Sequence, residues 1–117
     1  MTTTYINPNN LPHRSEAVIH GGIAYLSGVI PSDASVDITA QTQQVLAKID
    51  ERLAEVGSRK DRILSVTIWM KDVNRDVGAF NAVWNRWVVP GRLPARSCLE
   101  ATLQQNALLE IAVVAAV

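Results

Sequence analysis

The pattern of apolar and polar residues predicts a strand hairpin and then a long helix in the first half of the chain. Residues 16–20 and 23–27 each contain a short apolar run and look like two short strands, and Gly21-Gly22 between them suits the positive φ angles of a tight hairpin. Apolar residues then recur every three or four positions over 39–56, which is the spacing of an amphipathic helix. The predicted buried stripe is Thr42, Val45, Leu46, Ile49, Leu53 and Val56.

The ends of this helix carry recognisable signals. Asp37 or Thr39 can cap its start, and Gly57 suits the left-handed residue past its end. The polar positions are expected to face solvent. They are Gln41, Gln44, Lys48, Glu51, Arg52 and Glu55.

The second half of the chain predicts three more strands and a second helix. Residues 63–70 are rich in β-branched side chains and favour a strand. A helix is expected over 76–88, ended by Pro90-Gly91, and strands over 95–102 and 108–116. Leu64, Val66, Ile68 and Met70 should share one strand face. The second helix should bury Val77, Phe80, Val83 or Trp84, Trp87 and Val88.

The order ββαβαββ predicts an α+β fold of two layers, a mixed sheet with both helices on one face. The last strand is apolar at both parities, with Ile111 and Val113 on one side and Ala112 and Val114 on the other. An apolar open sheet face predicts that copies of the chain associate.

Composition narrows the class of protein. A chain of 117 residues suits a single domain over 1–117. The 11 basic and 11 acidic side chains cancel, whereas a nucleic-acid binder usually shows a basic excess. No signal peptide and no apolar run of about 20 residues is present, so no membrane contact is expected. The single Cys98 fits a reduced, cytoplasmic setting.

Arg96 is the first candidate for chemistry. Strand alternation places Arg96, Cys98 and Glu100 on one face. A guanidinium group binds a carboxylate through two parallel hydrogen bonds, so Arg96 is a candidate ligand-binding residue. The alternative is a structural ion pair with Glu100 or Glu110.

Three further positions carry weaker signals. Glu110 lies in an apolar strand, where a carboxylate is costly unless it is paired or useful; otherwise the strand edge there is exposed. Cys98 is predicted to be a small buried residue rather than a nucleophile. Ser27-Gly28 offers a hydroxyl and a close backbone approach to a ligand. No metal-ligand spacing occurs, so no metal is expected.

These stretches together resemble the reactive intermediate deaminase family, RidA, also called the YjgF type. The Pro94–Glu100 stretch nearly repeats the most specific motif of that family, and the motifs follow one another in the family's order. The matching stretches are Leu26–Pro31, Gln41–Thr42, Asn81, Pro94–Glu100 and Leu109–Ile111.

The resemblance implies a chorismate-mutase-like fold and a homotrimer with active sites in clefts between subunits. It implies hydrolysis of 2-imino and 2-enamino acids to 2-keto acids and ammonia, without a cofactor. By the same resemblance, Arg96 would hold the carboxylate of a small-molecule substrate and Glu110 would position the attacking water. The other pocket residues would be Ser27, Gly28, Asn81 and Cys98.

Two positions depart from the family pattern. Arg14 stands where the family has a tyrosine, and Val29 where it has a glutamine. A second positive charge at Arg14 would favour a dianionic substrate, unless Arg14 merely faces solvent. These changes also motivate an alternative function, a non-enzymatic trimer that binds a carboxylate metabolite or regulates in response to it.

Overall fold

The computed structural model describes residues 1–117 and contains one mixed sheet covered on one face by two helices. The spatial strand order is β1-β2-β3-β6-β4-β5. Only β4 and β5 run parallel, because α2 crosses over between them. The bounds are β1 Thr3–Ile6, β2 Ala17–His20, β3 Ile23–Leu26, α1 Ile38–Glu55, β4 Ile63–Met70, α2 Val73–Trp87, β5 Ala95–Glu100 and β6 Leu109–Ala116, with 3-10 turns at Lys60–Arg62 and Gln104–Asn106.

The predicted two-layer α+β architecture is confirmed, with one strand more than the sequence indicated. The additional strand, β1, pairs antiparallel with β2, from Thr3 opposite His20 to Ile6 opposite Ala17. Its sequence, TTYI, is too short and too polar to show an apolar face, and it lies at the sheet edge. The β2–β3 hairpin turns at Gly21 and Gly22, with φ angles of 61° and 77° as expected.

Helix α1 confirms its predicted stripe, since all six residues are buried. Asp37 caps its start by accepting the Ala40 N–H at 2.9 Å. Gln41, however, was wrongly assigned to the polar face, because its side chain is fully buried. Its Nε2 donates to two loop carbonyls and its Oε1 accepts the Leu108 N–H at 2.9 Å, so burial leaves no amide atom unpaired.

Helix α2 begins at Val73, one turn earlier than the predicted start at Asp76. The cap is Asp72, whose carboxylate accepts the Arg75 N–H at 3.1 Å. Asp76 is buried in the first turn, where both of its carboxylate oxygens accept from the Arg75 guanidinium. This hydrogen bonding and the charge of Asp76 raise the pKa of Arg75 above its ordinary value.

Strand β4 departs from the predicted alternation at one residue. Leu64 was expected on the core face, but it is 47% exposed. A register shift between Ile63 and Ser65 in the pairing with β6 places Ile63 in the core instead. Val66, Ile68 and Met70 are buried beneath the helices, as predicted.

The two faces of the sheet differ sharply in their cover. The helix-side face belongs to a hydrophobic cluster of 20 buried residues. The opposite face is open and carries Tyr25, which is 50% exposed, beside Val114. Tyr5 and Leu99 are exposed on the same face, so its predicted apolar character is confirmed. Neither helix is long and apolar enough to cross a membrane.

Candidate functional site

Strand β5 places Arg96 on the helix side of the sheet. In the parallel pairing with β4, Arg96 lies opposite Val66 and Cys98 opposite Ile68, and both β4 residues are buried under the helices. Glu100 follows the same parity opposite Met70. The predicted shared face is therefore confirmed, and Cys98 is half-buried against the hydrophobic cluster.

The Arg96 guanidinium lies over two aromatic rings of helix α2. Its central carbon, Cζ, is 5.3 Å from the centroid of the Phe80 ring and 5.5 Å from that of the Trp84 ring. One nitrogen, Nη2, donates to Asn81 Oδ1 at 2.7 Å. We call Arg96, Asn81, Phe80 and Trp84 the arginine half-site.

These contacts hold the Arg96 guanidinium in place and leave most of its N–H donors free. A cation over an aromatic face gains about 0.5–2 kcal/mol, depending on how dry the contact is. Only one of the five N–H donors of Arg96 has an acceptor in the chain. The ion-pair alternative is wrong, since no carboxylate lies within 4.0 Å of Arg96 and Glu100 instead accepts the Val73 N–H at 3.0 Å. The remaining donors can bind a ligand carboxylate in bidentate fashion.

Glu110 lies on the opposite face of the sheet, in a polar cavity of about 590 Å³. Strand β6 places it opposite Trp69 of β4, and its side chain is half-buried with no ion pair in the chain. The exposed-edge alternative is wrong, because Glu110 pairs with Trp69 of β4 on one flank and the adjacent Ile111 bridges to Val29 on the other. The cavity is also lined by His13, Arg14, Ser27, Gly28 and Gln105.

Gly28 makes room for the Glu110 carboxylate. A Cβ atom at position 28 would lie 2.1 Å from Glu110 Oε2, far inside van der Waals contact. The flanking Val29 exchanges backbone hydrogen bonds with Ile111 at 2.8 and 3.0 Å, which fixes the separation of the two segments. No residue other than glycine fits here without moving the carboxylate.

Two polar groups beside Glu110 are available to a ligand in different ways. The Gly28 N–H has no acceptor in the chain and can donate. The Ser27 hydroxyl donates to the Ser15 carbonyl at 2.6 Å, so it can only accept from a ligand. We call Ser27, Gly28, Glu110 and Arg14 the glutamate half-site.

One chain does not bring the two half-sites together. Arg96 lies opposite Val66 and Glu110 opposite Trp69, on the two flanks of β4. Strand spacing and rise separate their backbones by about 14 Å, and their side chains point to opposite faces. Of the predicted site residues, Asn81 and Cys98 accompany Arg96, whereas Ser27, Gly28 and Arg14 accompany Glu110.

Arg14 is exposed and makes no ion pair or side-chain hydrogen bond, as its solvent-facing alternative required. It nevertheless lines the same cavity as Glu110. The sequence analysis does not identify the Phe80 and Trp84 platform beneath Arg96, since it interprets Trp84 first as a packing residue. The signal was present, because aromatic residues four apart on a helix share a face.

Comparison with known proteins identifies the class. Residues 7–117 match the family described as Endoribonuclease L-PSP. The solved structure of NMB1025 from Neisseria meningitidis, a member of the YjgF protein family, superposes with a TM-score of 0.91 at 39% identity, covering 99% of this chain and 95% of that one. The chain belongs to this YjgF/Rid family, and the resemblance stated from its motifs is confirmed.

Three further relatives show a similar degree of likeness to this chain. A RutC family protein of Haemophilus ducreyi is 41% identical over 88% of each chain. The RutC family protein YoaB of Escherichia coli K12 is 41% identical over 88% of this chain and 90% of its own. The Rid family protein YyfA of Yersinia pestis superposes with a TM-score of 0.88 at 34% identity, covering 99% of this chain and all of that one.

Proposed function

We propose that this protein hydrolyses 2-imino and 2-enamino acids to 2-keto acids and ammonia. The observation that carries the proposal is the state of Arg96, whose guanidinium is fixed on two aromatic rings and retains four unused donors. An arginine held in this way is prepared to bind a carboxylate and has none within its own chain. Glu110 supplies the second group that the reaction requires.

The proposed active unit is a homotrimer with sites in the clefts between subunits. Arg96 and Glu110 point to opposite faces of one sheet, so a shared ligand requires two copies of the chain. The exposed Tyr25 and Leu99 make the open sheet face suitable for burial between copies. In this assembly the arginine half-site of one copy meets the glutamate half-site of its neighbour.

The chemical steps follow from the groups available. Arg96 binds the substrate carboxylate, and Glu110 accepts a proton from a water molecule whose oxygen adds to the imine carbon. Glu110 returns this proton to the nitrogen of the resulting carbinolamine, whose C–N bond then breaks and releases ammonia. The hydroxyl group gives its proton to the Glu110 carboxylate as the C=O bond forms. The Gly28 N–H can stabilise oxygen as charge develops there.

The reaction needs no cofactor in this proposal, because a protonated imine carbon is already electrophilic. Positioning the carboxylate and one water can contribute several kcal/mol, which is sufficient for a reactive substrate. We place the activity in a reducing compartment such as the cytoplasm, since Cys98 is a free thiol.

The binding-only alternative is weakened by the position of Val29. That side chain is only 9% exposed and packs in the hydrophobic cluster, outside the lining of the larger cavity. Its replacement of a glutamine therefore removes no group from beside Glu110 in this fold. The endoribonuclease of the family description gains no support from this chain, whose net charge is zero and whose Phe80 and Trp84 rings are buried.

The test couples a threonine dehydratase, which releases the enamine, to the purified protein and follows formation of the keto acid. Wild-type protein should accelerate release over buffer, and Arg96→Ala should lose at least about 100-fold of that acceleration. Arg86→Ala is the matched control, since Arg86 is exposed on α2 and forms no ion pair. No acceleration, or equal rates with Arg96→Ala, would overturn the proposal. Stabilisation by keto acids without turnover would instead support the binding-only trimer.

A further inference from the structure

The geometry points to a second anion-binding position next to Glu110, formed by Arg14 and Lys48, and to a substrate that carries two acidic groups. This inference rests on the proposed function and specifies its substrate class. The ligand would be an imino acid with a second carboxylate on its side chain. Its first carboxylate would bind Arg96 of the neighbouring copy.

Two cavities meet at Arg14. The larger, of about 590 Å³, contains Glu110, and a smaller one of about 190 Å³ is lined by Lys48 and Arg52 of helix α1. Arg14, Ser27, Gly28 and Ile30 line both, so the two cavities are neighbours. In the proposed site, a ligand whose reacting carbon lies beside Glu110 would direct its side chain toward Arg14.

The lining of the smaller cavity carries more basic than acidic side chains. Its charged lining consists of Arg14, Lys48, Arg52 and a single acid, Glu16. Glu16 is 4% exposed and already binds the Arg52 guanidinium, so these two charges neutralise each other. Arg14 and Lys48 remain as the positive charges for a ligand.

Neither Arg14 nor Lys48 forms a strong ion pair with a nearby acidic side chain. Arg14 has no carboxylate within 4.0 Å, and Lys48 has only Glu51, one turn away at 3.1 Å. The side chains of Lys48 and Glu51 are 45% and 65% exposed. An exposed pair of this kind contributes at most about 1 kcal/mol, so a ligand carboxylate can displace Glu51.

The polarity of the larger cavity also favours a charged substrate side chain. Its lining includes only two apolar residues, Ile30 and Leu103, so a plain hydrocarbon side chain finds little apolar surface on this side of the cleft.

The experiment compares two imines of equal length. Amino acid oxidases generate them from glutamate and from norvaline, which differ only in the second carboxylate. Wild-type protein should hydrolyse the glutamate-derived imine with a kcat/KM roughly 10- to 100-fold higher, as expected for a charge-assisted contact. Arg14→Gln should bring this ratio close to one and Lys48→Gln should lower it partly, whereas the control Arg86→Gln should leave it unchanged.

A readout without turnover separates this inference from the proposed function. Thermal shift with 2-oxoglutarate and 2-oxopentanoate should show greater stabilisation by the dianion, lost in Arg14→Gln. If neither imine is hydrolysed but this difference is observed, the anion position stands and the deaminase proposal fails. If the norvaline-derived imine is hydrolysed, but the ratio is near one and insensitive to Arg14→Gln, the second anion position is refuted. Equal stabilisation of wild-type protein by both keto acids would also refute it.

Discussion

The two half-sites are held by different means. The arginine half-site is stiff, because Arg96 rests on two buried aromatic rings, and Asn81 accepts one of its N–H groups. In the glutamate half-site, Glu110 has no side-chain partner and is confined chiefly by the backbone of Gly28. A carboxylate anchor benefits from rigidity, whereas a group that handles water needs space around it. The contrast fits one side that holds the substrate and another side that performs the proton transfer.

The largest effect on kcat is expected from Gly28→Ala in the glutamate half-site, because the added methyl group fills the space that the Glu110 carboxylate occupies. The added Cβ would lie 2.1 Å from Oε2, so the carboxylate must move by about 1 Å or more. A displacement of that size costs about 100-fold in kcat, with the fold retained. Steady-state kinetics on any accepted imine measures this change.

Gly78→Ala provides the matched control for that substitution. A Cβ at Gly78, on α2, would meet no atom within 4 Å. The change should leave kcat as it is and raise the free energy of unfolding by roughly 0.5–1 kcal/mol. Equal kcat values for Gly28→Ala and wild type would show that Glu110 does not depend on the glycine.

A large loss of stability without a specific effect on Arg96 is expected from Gln41→Leu. The buried amide ties the loop before α1 to Leu108, just ahead of Glu110. Removing it leaves a backbone N–H and two carbonyls unpaired, which should cost about 3 kcal/mol and lower Tm by roughly 10 °C. The exposed Gln43→Leu should change the free energy of unfolding by less than about 0.5 kcal/mol. Similar Tm values for the two variants would contradict the role assigned to Gln41.

A smaller effect is expected from Asn81→Ala in the arginine half-site. The guanidinium loses its only hydrogen bond but keeps both aromatic contacts. We expect kcat/KM to fall by about 5- to 10-fold, mostly through KM, because Arg96 is exposed and solvent replaces the amide. Asn85→Ala, on the exposed face of α2, is the control and should leave KM unchanged. An unchanged KM for Asn81→Ala would mean that the rings alone position Arg96.

The smallest effect, a small change in stability, is expected from a substitution of Asp33 in the loop that follows Ser27 and Gly28. Hydrogen bonds from the Ser35 hydroxyl and amide hold the pKa of Asp33 below its ordinary value. These hydrogen bonds therefore stabilise the folded protein above the pKa that Asp33 has in the unfolded chain. That stabilisation is lost as pH falls through the lower pKa of Asp33 in the folded protein. Urea unfolding should show Asp33→Asn slightly less stable at neutral pH, with the difference shrinking as pH falls below the ordinary pKa of an aspartate. A difference that grows on acidification would contradict this sign.

Much of the fold was predictable where burial follows a simple period. The α1 stripe was predicted in full because all its members lie on one helix face. Gln41 and Leu64 were missed for opposite reasons. A fully hydrogen-bonded amide can be buried, and a bulge can turn an apolar residue outward. Neither event leaves a mark in the hydrophobic pattern.

The strand face of individual candidate residues was predictable, but the arrangement of these residues in space was not. Strand parity correctly placed Arg96 and Cys98 on one face. The order of strands in space, which separates Arg96 from Glu110, depends on long-range pairing around β4 that local sequence does not encode. The aromatic platform beneath Arg96 likewise depends on how α2 packs across β5. The candidate chemical groups could therefore be identified from the sequence, whereas their positions relative to one another required the structure.

The most direct test of the composite site mixes two inactive variants. Arg96→Ala and Glu110→Gln chains, unfolded together and refolded in equal amounts, would form mixed trimers. If each site takes Arg96 from one copy and Glu110 from its neighbour, random mixing restores both groups at about one quarter of the sites. We predict recovery of about a quarter of wild-type deaminase activity, and none when Arg96→Ala is mixed with the double variant. No recovery from two properly assembled variants would contradict a site shared between subunits.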